Sequence, residues 1–346
     1  MERKMPGNIK PWIPGLCCYI PGKTIEGYLK LASNENNYGP APEVAAALKR
    51  AAGSINKYPY KDSLVREKVA EYCDTCPENI LLANGSDESL DIIYKTFSGP
   101  VLSFRPTYSE YRIFAEALGE KYLDTGLEKD FQFPLEGFIK ESRQANILVL
   151  CSPNNPTGTV IRQEDLESVL GQGKLTVVDE AYVEFYGRSA VGLVEEYPNL
   201  IVIRTFSKAF ALAGLRIGYA ISNPEIISLM DKVKPPFSVN ALAQEAALAA
   251  LGDLAYMEKT VKKIRKDREM LYREINKKFS AVRSHSNFIL ADVSPRKSDE
   301  VYGRFLGKRI IVRNFGKFPG FPGEYIRVSV GSGEENKRFL EALKEI

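Results

Sequence analysis

Histidine is almost absent from this sequence, since His285 is the only one among 346 residues. A metal site built from several histidines is therefore excluded, and a Ser-His-Asp triad could form only around His285. That residue lies in the segment 283–287 (RSHSN), which we predict to be a loop before a strand. We interpret His285 as incidental to function.

Cysteine is scarce and odd in number. The five cysteines are Cys17, Cys18, Cys73, Cys76 and Cys151, and an odd count without a secretion signal argues against a framework of disulfides. Cys73 and Cys76 have the spacing of a redox or zinc pair, but no second pair with this spacing accompanies them. We favour a structural or incidental role for both, with a local disulfide as the alternative.

The sequence also lacks a long apolar run and a strong charge of either sign. No segment reaches the length of a membrane-spanning helix, and the net charge is only +3, with acidic and basic residues interleaved. The segment 1–7 has no apolar stretch after its charged residues, which argues against a signal peptide. We therefore predict a cytoplasmic protein that binds neither nucleic acid nor membrane.

What the sequence does contain is an alternation of apolar strands and helices. Such an alternation is typical of an α/β fold in which a mostly parallel sheet is covered by helices on both faces. The strands of this part are predicted at residues 79–83, 101–104, 147–150, 175–178 and 200–203.

The pattern changes beyond residue 221. Two long helices are predicted there, followed by strands that alternate with helices, which indicates a smaller α+β unit. We divide the chain into an N-terminal arm (1–35), a large domain (36–235) and a small C-terminal domain (236–346). The later elements are helices at 240–251 and 253–279 and strands at 288–291, 310–313 and 325–330.

Polar residues follow several of the predicted strands. Asn155, Asp179 and Lys208 each come shortly after an apolar run. In parallel sheets the carboxyl ends of the strands line the ligand crevice, so we expect these three side chains to converge.

Lys208 is the residue around which we interpret the site. A Ser-Lys pair alone is most often an ordinary surface feature, since lysines are usually exposed. A lysine placed just after a buried strand can instead form a Schiff base, provided that its ammonium group loses a proton. The other residues predicted at the strand ends favour this second interpretation.

Those residues match the parts that a site for pyridoxal phosphate needs. Lys208 would form the Schiff base, the Asp179 carboxylate would keep the pyridine nitrogen protonated, and Tyr182 with Asn155 would donate to the 3-oxygen. For Ser86 and Asp87 alone, capping of the following helix is the simpler explanation. The remaining cofactor-binding residues that we predict are Gly85, Ser86, Asp87, Thr205, Ser207 and Arg216, which surround the phosphate, and Tyr108, which offers a flat face to the ring.

The chain resembles the fold-type I aminotransferases in three segments, 152–158 (SPNNPTG), 179–182 (DEAY) and 207–216 (SKAFALAGLR). The segment 31–36 (LASNEN) and the run from 205 to 216 make it similar to the histidinol-phosphate aminotransferase branch. This resemblance extends from about Tyr19 to the end of the chain. It implies a homodimer whose active site lies at the interface, where Tyr58 reaches the cofactor phosphate of the neighbouring subunit.

The same resemblance implies a set of substrate-binding residues. Arg313 and Arg327 would bind the phosphate of L-histidinol phosphate in one half-reaction and a carboxylate of glutamate or 2-oxoglutarate in the other. Tyr19 and Asn34 match substrate contacts in the arm. Taken alone, each arginine could equally form a surface ion pair, and Tyr19 could simply pack the arm.

Several other functions compete with this one. An aromatic amino acid aminotransferase or a threonine-phosphate decarboxylase would use the same scaffold and cofactor. Nucleotide hydrolysis would need a loop of the form Gly-x-x-x-x-Gly-Lys-Ser/Thr, which the sequence lacks. The segment 330–333 (VGSG) begins like a dinucleotide-binding loop, but Asn336 occupies the place of the third glycine, and we predict a helix cap. A catalytically idle binding protein is disfavoured because every part of the site is present.

Overall fold

Strands and helices alternate along most of the chain, as predicted. The computed structural model describes residues 7–346, so the first six residues of the predicted arm lie outside the described residues. The strands are β1 (Leu29–Leu31), β2 (Ile80–Ala83), β3 (Val101–Arg105), β4 (Tyr122–Gly126), β5 (Ile147–Cys151), β6 (Leu175–Asp179), β7 (Leu200–Thr205), β8 (Gly218–Ile221), β9 (Ser280–Ala281), β10 (Phe288–Asp292), β11 (Ile310–Gly316) and β12 (Tyr325–Ser329).

Helices follow most of these strands and cover the sheets. Their bounds are α1 (Pro42–Ala51), α2 (Asp62–Cys73), α3 (Ser86–Thr96), α4 (Glu110–Leu118), α5 (Leu135–Ser142), α6 (Gln163–Leu170), α7 (Val183–Tyr186), α8 (Pro224–Asp231), α9 (Ala241–Leu251), α10 (Leu254–Asn276), α11 (Ser298–Gly307) and α12 (Gly333–Glu345).

Seven strands form the larger sheet, in the order β2-β8-β7-β6-β5-β3-β4. The strands from β7 to β4 run parallel to their neighbours, whereas β8 is antiparallel to both β2 and β7. Every residue of β5 and β7 is buried, because helices cover both faces of the sheet and leave no exposed side for polar residues. The predicted α/β class with a mostly parallel sheet is confirmed.

The other five strands form a second sheet in the order β1-β11-β12-β10-β9. Strand β1 was not predicted, because its three residues lie in a segment rich in proline and glycine. Leu29 and Leu31 are nevertheless buried, and they pair in parallel with Ile310 and Val312. The polar segment after β1 is thereby carried to the edge of the larger sheet. The division of the chain into an arm and two domains stays a prediction.

The arm also lies across another surface, near the end of α4, before β1 begins. The Trp12 indole donates a hydrogen bond of 3.1 Å to the Ala117 carbonyl. Its ring covers Gly119, where an added Cβ would lie only 2.8 Å from the ring. Gly119 has a φ of 86° and ends α4, so a side chain there would be strained as well as crowded.

The segment 330–333 is a helix cap and not a nucleotide loop. Ser332 accepts a hydrogen bond from the Glu335 amide, and the Glu335 side chain accepts one from the Ser332 amide. The buried Asn336 bonds both the amide and the carbonyl of Gly331. The predicted cap at the start of α12 is confirmed.

Cys73 and Cys76 do not form a disulfide, and the other three cysteines are also free. Cys73 is buried, and its thiol forms hydrogen bonds with the Tyr219 hydroxyl and the Arg204 guanidinium. Cys76 is exposed. Among residues 7–346 no group of three or more His, Cys, Asp or Glu side chains is placed to hold a metal ion. No helix in the described part of the chain is both long and apolar enough to cross a membrane.

Candidate active site

The carboxyl ends of β5, β6 and β7 open into a cavity of about 230 Å³. The start of α3, the segment after β1, and strands β11 and β12 close its other sides. Its lining includes every residue predicted for the site except Gly85 and Tyr58, namely Tyr19, Asn34, Ser86, Asp87, Tyr108, Asn155, Asp179, Tyr182, Thr205, Ser207, Lys208, Arg216, Arg313 and Arg327. The structure therefore brings the predicted residues together, while their individual roles remain predictions.

Asp179 is the last residue of β6, and its carboxylate is buried in the cavity wall. One oxygen, Oδ2, accepts a hydrogen bond of 2.7 Å from the Tyr111 hydroxyl, and Oδ1 accepts one of 2.9 Å from the Ala181 amide. Burial raises the pKa of Asp179 to about 6, although both hydrogen bonds act in the opposite direction. With this pKa the buried carboxyl group of Asp179 is mostly ionised at pH 7, and the two hydrogen-bond donors favour that form.

Lys208 lies in the loop after β7 and points its amine into the cavity. The Nζ atom donates a hydrogen bond of 3.2 Å to the Ser33 carbonyl and lies 5.8 Å from the centre of the Tyr182 ring. Burial and the nearby Arg327 guanidinium lower the pKa of Lys208 to about 8. A lysine with this pKa has a substantial neutral fraction near pH 8, which a nucleophile or a base needs.

One end of the cavity collects hydrogen-bond donors suited to an anion. The Arg216 guanidinium lies 2.9 Å from Asp87 and 3.5 Å from the Ser207 hydroxyl. Thr205 fixes that hydroxyl through a bond of 2.9 Å between the two oxygens. Helix α3 begins at Ser86 and directs its free amides toward the same place.

Gly85 lies against this end of the cavity without lining it. An added Cβ on Gly85 would lie 2.8 Å from Arg216 Nη2, and its φ of 85° disfavours any other residue. Gly85 occupies the N-cap position of α3, and no side chain forms a capping hydrogen bond there. The alternative that Ser86 and Asp87 cap the helix is therefore wrong. The Asp87 carboxylate instead accepts hydrogen bonds from Arg216 and from the Tyr108 hydroxyl.

Tyr182 and Asn34 meet on another wall of the cavity. Asn34 Nδ2 donates a hydrogen bond of 2.9 Å to the Tyr182 hydroxyl. Asn34 is nearly fully buried and has a φ of 56°. Its backbone amide donates a hydrogen bond to the Ser329 hydroxyl, and its backbone carbonyl accepts one from the Asn287 side chain. Burial raises the pKa of Tyr182, so its hydroxyl keeps its proton and can donate it in a hydrogen bond.

Arg327, on β12, is buried at the edge of the cavity. It donates to Asn155 Oδ1 and to the Ala32 carbonyl, and its Nε has no partner among residues 7–346. The rings of Phe288 and Phe315 lie 5.0 and 5.5 Å from its guanidinium carbon. Burial lowers the pKa of Arg327 to about 10, so it is still a cation at neutral pH.

Arg313, on β11, is more exposed and contacts the arm. It donates a hydrogen bond of 2.7 Å to the Ile20 carbonyl, next to Tyr19, and lies 5.7 Å from the centre of the Phe315 ring. The described hydrogen bonds of Arg313 and Arg327 go to carbonyl oxygens and not to carboxylates, so neither arginine supports the surface ion pair that the sequence left open. Tyr19 is about half exposed, at 47%.

Tyr58 is a predicted site residue that the structure places outside the cavity lining. It is 76% exposed and stacks on Phe237, with the ring centres 4.6 Å apart. Within residues 7–346 it makes no hydrogen bond to Arg216 or Ser207. Its contribution to a neighbouring subunit stays a prediction.

Sequence reasoning missed several residues that shape the cavity. Tyr111 holds Asp179, Phe315 lies beside two arginines, and Ser33 accepts from Lys208. A signal existed for Tyr111, because it follows Tyr108 by three residues in a helical segment and therefore lies on the same side. No pattern marked Phe315 or the backbone carbonyl of Ser33.

The chain is similar to known proteins over nearly its whole length. A model of the family described as aminotransferase class I and II matches residues 26–343. The chain is 35% identical to the histidinol-phosphate aminotransferase of Methanocaldococcus jannaschii, over 98% of this chain and 95% of that protein. It is 37% identical to the enzyme of the same name from Methanothermobacter thermautotrophicus, over 95% and 94%. Among solved structures, histidinol-phosphate aminotransferase from Sinorhizobium meliloti, in complex with pyridoxal-5'-phosphate, matches with a TM-score of 0.88 at 27% identity, over 99% of this chain and 98% of that one.

Proposed function

The chain belongs to the class I and II aminotransferases and, within them, to the histidinol-phosphate aminotransferase family, and we propose that it exchanges an amino group between L-histidinol phosphate and 2-oxoglutarate. It is an enzyme with pyridoxal 5'-phosphate as its cofactor. The observation that carries the proposed substrate is that two guanidinium groups, of Arg313 and Arg327, line the same cavity as Lys208 and Asp179.

The residues of the cavity fit this cofactor. Arg216, Ser207 and the amides at the start of α3 offer donors to its phosphate, in a space that a side chain on Gly85 would fill. Asp179 offers a buried carboxylate to the ring nitrogen. Tyr108 offers a ring face, and Tyr182 and Asn155 offer donors to the ring oxygen. These roles are part of the proposal.

The cofactor, when bound, supplies a ring that withdraws electrons from the carbon bearing the substrate amine. Asp179 would hold the ring nitrogen of the cofactor in its protonated form through its buried carboxylate. Lys208 would hold the cofactor through its Nζ atom, and the free amine would take the proton from the substrate carbon. Its lowered pKa suits this step, since a large part of the amine is neutral near pH 8. Tyr182 keeps its proton and fixes the ring oxygen.

Anion recognition falls to the second sheet and the arm. Arg327 is oriented by Asn155 and the Ala32 carbonyl, and its Nε has no hydrogen-bond partner within residues 7–346, which leaves this donor for a ligand. Arg313 lies next to Tyr19 through the Ile20 carbonyl. A planar guanidinium binds a phosphate or a carboxylate in the same bidentate way, so one pocket can hold either substrate. Asn34 would act at the same wall through Tyr182.

The proposal includes a homodimer in which Tyr58 of the partner subunit reaches the cofactor phosphate. The exposure of Tyr58 and its stacking on Phe237 support this, because both rings stand on the surface away from their own cavity. The cytoplasmic location stays a prediction from the sequence.

An absorbance spectrum of the purified protein tests the function. The protein with pyridoxal phosphate should show a visible band that is lost on addition of L-histidinol phosphate and returns with 2-oxoglutarate. Lys208→Ala should still bind the cofactor slowly but should have no turnover. Turnover of this variant at a rate near that of the wild type would contradict the assignment.

Tests with other substrates separate the alternatives. A band that responds to aromatic amino acids but not to L-histidinol phosphate would identify an aromatic aminotransferase. Release of carbon dioxide from threonine phosphate would identify a decarboxylase. A protein with no visible band after addition of pyridoxal phosphate would refute the role of Lys208 itself.

A further inference from the structure

A fully buried tyrosine lies behind the Asp179 carboxylate, and the chemistry described so far does not use it. Tyr111, in the first turn of α4, donates its hydroxyl proton to Asp179 Oδ2 over 2.7 Å. The Ala181 amide donates to the other oxygen over 2.9 Å. Each carboxylate oxygen keeps a second lone pair for the cavity side. The orientation of the carboxylate is therefore fixed by one side chain and one backbone amide.

Tyr111 also contacts the tyrosine that faces the cavity. Its ring meets the Tyr108 ring edge to face, with centres 5.6 Å apart and planes at 84°. Tyr108 and Tyr111 lie three residues apart in the chain. This short segment therefore sets the distance between the ring that would cover the cofactor and the hydroxyl that holds the Asp179 carboxylate. Displacement of Tyr111 would affect both.

The surroundings of Asp179 make this hydroxyl important. The titratable groups that act on Asp179 or on which it acts are Asp87 and Tyr94 from α3, Cys151 from β5, Glu180 next along the chain, and Tyr182. None of these five groups carries a positive charge. The hydrogen bonds from the Tyr111 hydroxyl and the Ala181 amide act against burial and the acidic neighbours and favour the ionised form of Asp179, and Tyr111 is the side-chain donor of the two.

We propose that Tyr111 is a positioning residue that orients the Asp179 carboxylate toward the cofactor ring nitrogen and holds it in its ionised form. The proposal rests on the proposed function, because it needs pyridoxal phosphate to be bound next to Asp179. It assigns to Tyr111 no contact with the cofactor or the substrate.

The chemistry of a lost hydroxyl gives the expected sign. Burial raises the pKa of Asp179 and the Tyr111 hydrogen bond lowers it, so removal of the hydroxyl makes the carboxylate a stronger base. The proton shared with the ring nitrogen then moves toward Asp179, and the ring withdraws electrons less strongly. The Schiff-base nitrogen of Lys208 consequently keeps its proton to higher pH.

The test compares Tyr111→Phe with Tyr94→Phe in the protein loaded with pyridoxal phosphate. Tyr94 is a matched control, since it is also buried, but its hydroxyl has no partner within residues 7–346. In Tyr111→Phe the pH midpoint of the visible band should rise by about one unit, and kcat should fall about tenfold with little change in KM. Tyr94→Phe should leave both values at those of the wild type. A midpoint and kcat in Tyr111→Phe equal to those of the control would overturn the proposal.

A second variant tests whether the effect passes through the carboxylate. In an Asp179→Asn background, Tyr111→Phe should no longer change the dissociation constant for pyridoxal phosphate, whereas in the wild-type background it should raise that constant severalfold. An equal increase in both backgrounds would mean that Tyr111 serves only packing, and would overturn the proposal.

A third measurement covers the case in which Tyr111→Phe does not fold. Site-specific replacement of Tyr111 by 3-fluorotyrosine changes the size little and makes the hydroxyl a stronger donor, so the midpoint should move to lower pH. A midpoint that stays in place or moves to higher pH would count against the proposal. Failure of the proposed function is distinguishable, because it would appear in the unmodified protein as a missing band or a missing response to L-histidinol phosphate.

Discussion

Lys208 shows how one residue acquires reactivity from its place in the fold. Its amine sits in a cavity beside a buried guanidinium, and both burial and that charge favour the neutral form. The carbonyl of Ser33 gives the amine a single weak partner at 3.2 Å. The same side chain on the surface would be almost fully protonated at pH 8.

The first prediction concerns the pH dependence of cofactor uptake. Below its pKa of about 8 Lys208 is mainly protonated and cannot attack the aldehyde, so the rate at which the cofactor-free protein captures pyridoxal phosphate should rise with pH and level off above about pH 8. Stopped-flow absorbance would measure this rate. Free pyridoxal phosphate with Nα-acetyl-lysine, in the same buffers, is the control. A rate that keeps rising tenfold per unit up to pH 10 would show an ordinary lysine.

The second prediction concerns Asp179 and stability. Its folded-state pKa of about 6 lies above the ordinary value of 3.8, so the folded protein holds this proton more tightly than the unfolded chain does. The stabilisation that this proton gives is present below about pH 4 and is lost as the pH rises to 6. The cofactor-free Asp179→Asn protein should therefore exceed the wild type in free energy of unfolding at pH 7 by about 2–3 kcal/mol.

Denaturant unfolding at pH 4 and pH 7 would check this second prediction, and the difference between the two proteins should shrink at pH 4. Asp179→Asn should also lose transaminase activity, since an amide cannot keep the ring nitrogen protonated. A variant less stable than the wild type at pH 7 would mean that the two hydrogen bonds to the carboxylate outweigh its burial.

At the same scale, the site residues that follow strands were predictable because their chemistry is local. Asp179, Lys208 and Arg216 lie within or next to short segments whose residue types are rare in combination. Tyr111, Ser33 and Phe315 were not predicted, because their role depends on which part of the fold faces them. The backbone carbonyl of Ser33 could not be found from residue type at all.

At the scale of elements, strand β8 approaches the start of α3 unusually closely. A Cβ on Gly218 would lie 2.8 Å from the Gly85 carbonyl carbon, 2.9 Å from the Ser86 amide and 2.7 Å from the Arg204 carbonyl. All three neighbours are backbone atoms, which cannot turn aside as a side chain can. A glycine in β8 therefore allows the phosphate end of the cavity to form.

The third prediction follows from that close approach. Gly218→Ala should push β8 away from Gly85, destabilise the protein by about 1–3 kcal/mol and weaken binding of pyridoxal phosphate. Gly303→Ala is the matched control, because Gly303 lies in α11 with nothing near its added Cβ. That control should be neutral or stabilising by up to about 1 kcal/mol. Thermal unfolding and cofactor titration would measure both variants, and equal cofactor affinity in the two would contradict the prediction.

The long apolar strands and the periodic helices were predictable within a few residues, because burial on both faces leaves a continuous apolar run. Helix α3 begins at Ser86, and its polar first turn lines the cavity. Strand β4 was missed because its residues are only partly buried and include Asp124 and Gly126. Strand β1 was missed because its three residues lie in a segment rich in proline and glycine, and β8, which begins with a glycine, was missed as well.

At the scale of the whole molecule, exposed aromatic residues mark one surface. Tyr58, Tyr60 and Phe237 expose more than half of their area, and Ile55 exposes 67%. Such residues are unusual on the surface of a monomer when they lie close together, as the stacked Tyr58 and Phe237 do. This surface supports the proposed dimer. Neither composition nor periodicity could have identified it, because the residues involved lie in separate segments.

The fourth prediction uses hybrid dimers. If Tyr58 completes the partner's site, a dimer of one Lys208→Ala chain and one Tyr58→Ala chain contains one intact site and one site with both defects. Mixing the two variants after partial unfolding and refolding should then recover about a quarter of wild-type activity at limiting pyridoxal phosphate, if subunits combine at random. Each variant refolded alone is the control. Activity of the mixture no higher than the average of the two controls would mean that each subunit builds its site alone.

The pairing of β1 with β11 has a consequence for how the enzyme folds during its synthesis. Residues 29–31 leave the ribosome long before their partners at 310–312 are made. The segment that β1 positions contributes Ser33 and Asn34 to the cavity. A nascent chain therefore carries an open, unfinished pocket until β11 has been made, and this wall of the pocket forms only then.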